Sequence, residues 1–276
     1  MVATPIGNLR DITLRALDVL HDADLILAED TRVARKLLGA HAIPIKRLLP
    51  YHDHNAAEAG AQALDALAKG ARVALISDAG TPLVSDPGFR LVRAAIAGNF
   101  RVIPAPGPSA LLAGLVASGL PADRFVFAGF APTKAGARRA FFEELKAVRA
   151  TLIFYESGPR LGASLADMAQ VFGPREAVVA RELTKLFEEL RRGDLQQLAA
   201  SAAQAERRGE HVVLIGPPKE EAQEPPSEEA FEAAMEEALR EGGVKQAASA
   251  LSARFGLPSR EAYDRALKYR RKTRDG

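Results

Sequence analysis

Short apolar runs alternate with helix-patterned stretches along this chain, and several runs close on turns of glycine and proline; no other feature constrains the fold as tightly. In the first 118 residues the pattern predicts strands at 25–28, 72–77 and 101–103. It predicts helices at 13–20, with Leu14, Ala16, Leu17 and Leu20 on one stripe, and at 55–68, with Asn55 as N-cap. Such alternation calls for a mostly parallel sheet covered on both faces. The break Ser118-Gly119-Leu120-Pro121 opens a second α/β unit, with strands at 125–130, 151–155, 177–181 and 211–215 and helices at 136–148, 160–171 and 194–206. A proline-rich charged linker runs from Gly216 to Ser227. Helical patterns at 228–240, 244–254 and 259–270 follow, broken at Gly242-Gly243 and at Gly256-Leu257-Pro258. The expected division is 1–118, 119–217 and 218–276. The last part reads equally as a helix-turn-helix-like module or as an element that docks on the main body.

Composition narrows the chemistry. The absence of cysteine excludes disulfides, thiolate-bound zinc and a cysteine nucleophile, and it fits a reducing cytoplasm. No segment approaches the ~18 apolar residues of a membrane span, and the amino terminus lacks a secretory pattern. A net charge of +2 does not mark the whole chain as a nucleic-acid binder. Charge is nevertheless segregated: residues 220–241 carry nine acids and one base, and residues 257–276 carry seven bases and three acids. A basic end of that kind reads either as a solvated face or as a phosphate contact.

Three turns sit at predicted strand ends: 3–8 (ATPIGN), 77–82 (SDAGTP) with its extension 83–88 (LVSDPG), and 104–109 (PAPGPS). In an open parallel sheet the carboxyl ends of the strands define the ligand face. Glycine lets backbone approach a ligand, proline stiffens the loop, and backbone N–H groups and short hydroxyls hold polar atoms. Any tight turn uses these residues; three such turns on one face point to a cofactor pocket. No GxxxxGK[ST] or GxGxxG occurs, and His52-Asp53-His54 has no further ligand at metal spacing, so no metal is expected. The residues alone stop at an α/β protein with a polar pocket.

The stretches VATPIGNLRDITLRAL, LILAEDTRVARKLL, ISDAGTPLVSDPG, PAPGPSALLAGLVASGL, TLIFYES, ARELTKLFEEL and GEHVVLIG, in this order, closely resemble the ribosomal RNA small subunit methyltransferase I family of the tetrapyrrole methylase superfamily. The resemblance covers residues 2–216, more loosely the tail. It implies two α/β domains of tetrapyrrole-methylase type with S-adenosylmethionine in the cleft between them, plus a small C-terminal helical unit. It further implies 2′-O-methylation of a cytidine in the decoding region of 16S rRNA, within the 30S subunit, by a cytoplasmic homodimer with no membrane or DNA partner. The cofactor would be held by Gly80, Thr81, Pro82 and Val84, where many relatives read Gly-Asp-Pro, by Ser109 and Ala110, by Pro5, Ile6 and Gly7, and by backbone near Tyr155 and His211. The family often reads TRHTRKLL and FYESPHR; here Val33-Ala34 and Ser157-Gly158-Pro159-Arg160 leave no imidazole at either place.

Moving a methyl group to a ribose hydroxyl requires alignment and an acceptor for the hydroxyl proton. Two acid-and-base segments at strand ends qualify, Glu29-Asp30-Thr31-Arg32 and Glu182-Leu183-Thr184-Lys185, although acids at helix starts also serve structure alone. Glu29 or Asp30 is the expected base, with Glu182 and Lys185 closing the site. Arg32, Arg35 and Lys36 are expected on RNA phosphates, as are Lys134, Arg138, Arg139, Arg191, Arg192 and Arg270-Arg271-Lys272. Tyr51 and Phe130 could stack on a base, with Phe130 the better core residue. The alternatives are a tetrapyrrole or protein methylase of the same superfamily, a non-catalytic ribosome-assembly factor, and a phosphate- or nucleotide-binding enzyme.

Overall fold

The computed structural model describes residues 1–202, 209–218, 228–255 and 257–272. Two compact bodies divide the chain, Met1–Pro218 and Lys219–Gly276.

The first body begins with a parallel sheet. Strands β1 (Leu25–Ala28), β2 (Leu48–Pro50) and β3 (Val73–Ile76) run in the order β2-β1-β3, with Ile26 opposite Leu48 and Leu25 opposite Val73. Residues 1–4 extend it: Val2 N donates to Leu75 O, and Val2 forms a parallel bridge with Ala105. The strand expected at 101–103 is reduced to that bridge, because Pro104 and Pro106 have no N–H to carry a ladder. Helices α1 (Leu14–Asp22), α2 (Thr31–Ala40), α3 (Ala56–Ala68) and α4 (Phe89–Ala97) accompany this sheet. Thr13 caps α1 through its hydroxyl, 3.1 Å from Ala16 N. The α1 stripe buries Ala16 and Leu20 but leaves Leu14 exposed. Asn55 occupies the N-cap of α3 without capping it; its side chain instead accepts from His52 N and donates to Pro50 O, bracing the preceding turn.

Helix α5 (Ala110–Ser118) leads to a five-stranded sheet in the order β4-β5-β8-β6-β7. Its strands are β4 (Phe125–Phe130), β5 (Thr151–Ser157), β6 (Glu176–Arg181), β7 (Glu189–Asp194) and β8 (Glu210–Ile215). Only the β4–β5 pair is parallel, so this sheet is mixed. The addition is β7, hidden in the sequence because its charged residues suit an edge strand rather than an apolar run. Helices α6 (Ala135–Leu145), α7 (Gly158–Phe172) and α8 (Leu195–Ala202) cover one face through Phe142, Phe154, Met168 and Phe172. The other face packs Ile153, Val178 and Leu214 against Leu111 and Leu115 of α5 and Ile6 of the first turn. The end of the helix expected at 194–206 falls outside the described residues.

The second body holds α9 (Glu228–Glu241), α10 (Val244–Phe255) and α11 (Ser259–Lys272) around Phe231, Met235, Leu251 and Ala262. No helix among the described residues is long and apolar enough to cross a membrane.

One charge pair is built into the core. Arg138 of α6 is 6% exposed, and its guanidinium reaches Asp167 Oδ2 of α7 at 2.6 Å. Breaking such a pair strands the surviving charge. Asp167→Ala is expected to cost about 3–5 kcal/mol, read as a lower urea midpoint, whereas Arg138→Met with Asp167→Leu recovers most of it.

Candidate active site

The carboxyl ends of the first sheet's strands carry four loops, and backbone hydrogen bonds knit three of them together. Thr4 and Gly80 exchange N–H···O bonds of 2.8 and 3.0 Å. Thr4 Oγ1 donates to Ser77 O, and Thr81 Oγ1 donates to Pro108 O at 3.1 Å. Gly107 lies so close to Ala3 that a β-carbon there would stand 3.0 Å from the Ala3 methyl. The convergence expected from three glycine- and proline-built turns is therefore realised in one place.

From across the body comes the segment 182–185, in which Glu182 and Thr184 hold positive φ of 49° and 66°. Thr184 accepts from Asn8 N at 3.2 Å, and Gly7 leaves no room for a β-carbon against Thr184 Oγ1 and Lys185. Between these loops lies a cavity of about 390 Å³, within the range of small-molecule sites. Ile6, Gly80, Thr81, Val84, Ser109, Ala110, Tyr155 and His211 line it, as do Glu29, Glu182 and Lys185. Pro5, Gly7, Pro82 and Asp30 do not. A cavity of about 430 Å³ at the amino-terminal ends of the strands is walled by Leu67, Leu91, Ala95 and Phe100. It lies at the wrong end of a parallel sheet for a ligand.

Two neighbouring acids divide their roles. Asp30 caps α2, accepting from Arg32 N at 2.7 Å and pairing with the Arg32 guanidinium at 2.6 Å. The arginine holds its pKa down to about 2, so it is a weak base. Glu29 faces the cavity, and burial, with Asp86 and Asp78 nearby, raises its pKa. Asp78 and Asp86 were not singled out by the sequence pattern, although both stand in the quoted loop. Burial raises Asp86 to about 6, with the Asp78 charge adding to it and only a Ser77 hydroxyl contact opposing. Burial also raises Asp78.

Lys185 bridges Glu182 at 3.2 Å and Glu210 at 3.0 Å. Burial alone would lower its pKa, but the two carboxylates outweigh it and raise it, so the group is an ammonium at neutral pH. Glu182 is lowered by the Glu210 backbone N–H and then by Lys185. Tyr155 accepts from Leu111 N at 3.1 Å, at the start of α5, and its ring meets Phe127 and Phe130 edge-on. His211 is 3% exposed with both ring nitrogens unpartnered, and burial, then Arg181 and Arg191, lowers its pKa.

Several expected RNA contacts are redistributed. Arg32, Arg35, Lys36, Lys134 and Arg139 are exposed. Arg138 is not available, being buried on Asp167. Arg192 is spent on the last carbonyls of α5, donating to Ser118 O at 3.0 Å. Arg191 is half-buried beside Glu189, and Arg270 is exposed on α11. The side chains of Arg271 and Lys272 lie outside the described residues. The two aromatic expectations exchange places. Tyr51 is 1% exposed in the core against α3, whereas Phe130 is 53% exposed on the cavity wall.

With this geometry in place, the known proteins give it a class. Residues 1–199 match the family model described as Tetrapyrrole (Corrin/Porphyrin) Methylases, and residues 224–270 match one described as RsmI C-terminal HTH domain. The fold recurs in a cobalt precorrin-4 methyltransferase (TM-score 0.59, 18% identity, covering 78% of this chain and 92% of that one). It recurs too in the uroporphyrin-III-C-methyltransferase of Thermus thermophilus (TM-score 0.56, 21% identity, 78% and 92% covered). Closer in sequence is the Ribosomal RNA small subunit methyltransferase I of Mesorhizobium japonicum, 57% identical over 81% of this chain and 76% of that protein. That of Pseudomonas aeruginosa is 46% identical over 97% and 95%. The chain belongs to the ribosomal RNA small subunit methyltransferase I family.

The acidic wall has a thermodynamic consequence. Asp86 holds its proton up to about pH 6 when folded but only to the ordinary carboxylate range when unfolded. The folded state then binds more protons between those values, and its stability falls as pH rises through about 6. Asp86→Asn removes that loss. Its melting temperature should exceed the parent's by a few degrees at about pH 8 and converge with it only below about pH 4. Equal midpoints throughout would place this carboxyl in a solvent-like setting.

Proposed function

We propose that the chain transfers the methyl group of S-adenosylmethionine to the 2′-hydroxyl of a cytidine in 16S rRNA, acting on the 30S subunit as a cytoplasmic homodimer. The observation that carries this reading is the two-sided polarity of the cavity, in a chain whose relatives bear the name of an rRNA methyltransferase. On one side is the amino terminus of α5, where the Ser109 hydroxyl makes no cap bond and helix N–H groups favour a carboxylate. On the other are Glu29, Asp78 and Asp86, which favour positive charge. An amino-acid moiety joined to a sulfonium matches both sides.

When bound, S-adenosylmethionine supplies a methyl made electrophilic by its sulfonium charge. Glu29 would accept the hydroxyl proton as the methyl passes from sulfur to oxygen. Its raised pKa makes it a stronger base than an exposed carboxylate. Lys185, fixed as an ammonium between Glu182 and Glu210, takes no proton and closes the far wall. Phe130 offers an exposed ring on which a splayed base can stack. Arg32, Arg35 and Lys36 on α2, Lys134 just before α6 and Arg139 on it offer charge to phosphates. In the other body, α11 exposes Arg260, Lys268 and Arg270, in keeping with a helix-turn-helix that meets RNA.

Dimerisation is supported by α5. Its sequence, ALLAGLVAS, is apolar on every side, yet Leu112 and Val116, one turn apart, stand 47% and 78% exposed. A helix of that composition is ordinarily covered, and a second copy is the expected cover. Val116→Glu should shift the elution and light-scattering mass to that of a monomer; a monomeric parent would remove the basis for this part.

The test of activity is incubation with labelled S-adenosylmethionine and unmethylated 30S subunits, then nucleoside analysis. Label is expected in 2′-O-methylcytidine, and Glu29→Gln should lower kcat by about 10²- to 10⁴-fold while cofactor binding persists. Absence of label despite cofactor binding would turn the substrate to a tetrapyrrole or a protein. A short naked oligonucleotide methylated as well as the particle would count against recognition of the 30S subunit.

A further inference from the structure

Acids elsewhere inside this body are matched by cations. Asp167 has Arg138 and Arg139, Glu156 has Arg160, and Glu182 has Lys185. Glu29 and Asp86 break the pattern. Both line the cavity, and the charges that bear on them are those of other carboxylates: Asp86, Asp78 and Asp53 on Glu29, and Asp78 on Asp86. Lys185, on the same wall, is already shared by Glu182 and Glu210. Half-buried carboxylates facing a cavity without a counter-ion are unfavourable unless the ligand brings the charge.

Asp86 is also set in place at a conformational cost. Leu83 and Ser85 hold φ of 76° and 66°, between Gly80 at 81° and Gly88 at 135°. A β-carbon on Gly88 would stand 2.8 Å from side-chain carbons of Leu75 and Leu83. The loop thus has little freedom to carry the carboxylate away from the cavity.

We propose that Asp86 is a specificity-determining counter-ion that favours the positively charged methyl donor over the neutral thioether left after transfer. The inference rests on the cofactor reading above and deepens it. With the donor bound, Asp86 and Glu29 would face the positive charge it carries. After transfer the positive charge has left the sulfur, the hydroxyl proton sits on Glu29, and Asp86 is again without a counter-ion. Spent product is therefore released rather than held. Glu29 serves the proton and Asp86 serves the charge.

The test is calorimetric titration of the full-length protein and its Asp86→Asn variant with three ligands: S-adenosylmethionine, S-adenosylhomocysteine, and sinefungin, whose amine carries a positive charge in place of the methylsulfonium. Asparagine keeps the shape and removes the charge. Asp86→Asn is expected to lower the preference for S-adenosylmethionine over S-adenosylhomocysteine about tenfold, which is about 1.4 kcal/mol, and to lower the preference for sinefungin over S-adenosylhomocysteine alike. A preference unchanged within about twofold would overturn the proposal, and so would equal weakening of all three ligands, which would assign the charge of Asp86 to the α-ammonium that all three share. Failure of the parent protein to bind any of the three would overturn the cofactor reading itself, and the proposal with it.

Discussion

The reciprocal pair of backbone bonds between Thr4 and Gly80 holds the rest of the site in register. It joins the turn that opens the chain to the loop after β3, while the neighbouring Val2–Ala105 bridge and the Thr81–Pro108 bond draw in the third turn. Segments about a hundred residues apart in sequence are thereby fixed at one edge of a sheet. Positions there cannot shift singly, because each loop's N–H and C=O groups are satisfied by its neighbours. The cavity floor is rigid for the same reason that the sheet edge is.

Its opposite wall depends on α5. That helix follows the third turn directly, yet it packs Leu111 and Leu115 on the second sheet beside Ile153, Val178 and Leu214. Its first turn receives Tyr155 from β5, so one element passes the position of the first sheet's loops to the second sheet. Ile6 in the same apolar cluster, and Gly7 pressed against Thr184, make the contact at a second point. The two sheets accordingly frame the cavity as one body.

Much of this was legible in the chain before any coordinates. Turns made of glycine and proline leave a local signature, and a parallel sheet places them on a common face. What could not be read depends on burial and partners. Glu29 and Asp30 are adjacent carboxylates of equal promise, and only the start of α2 assigns one to capping and leaves the other to the cavity. Arg138 and Arg139 look alike and both reach Asp167, but α6 buries the first and leaves the second exposed. Tyr51 and Phe130 were interchanged because exposure of an aromatic residue follows from what packs across it. Asp86 stands within the loop 77–88, but the absence of a counter-ion beside it is not a property of sequence.

The site is expensive to maintain, and the expense explains its chemistry. Leu83, Ser85, Glu182 and Thr184 adopt left-handed backbone on the two sides of one cavity, each at a cost of order 1–3 kcal/mol. Three acids are gathered on a partly buried wall, where burial raises each pKa and, for Glu29 and Asp86, the charge of neighbouring carboxylates adds to it. Neither feature adds to the stability of the fold, and both are offset by the packed cores of the two sheets. A surface already polarised in this way need not reorganise when charge moves during transfer. Burial of these carboxylates costs stability, and on the proposed reading the same burial is what would make the wall favour a cation.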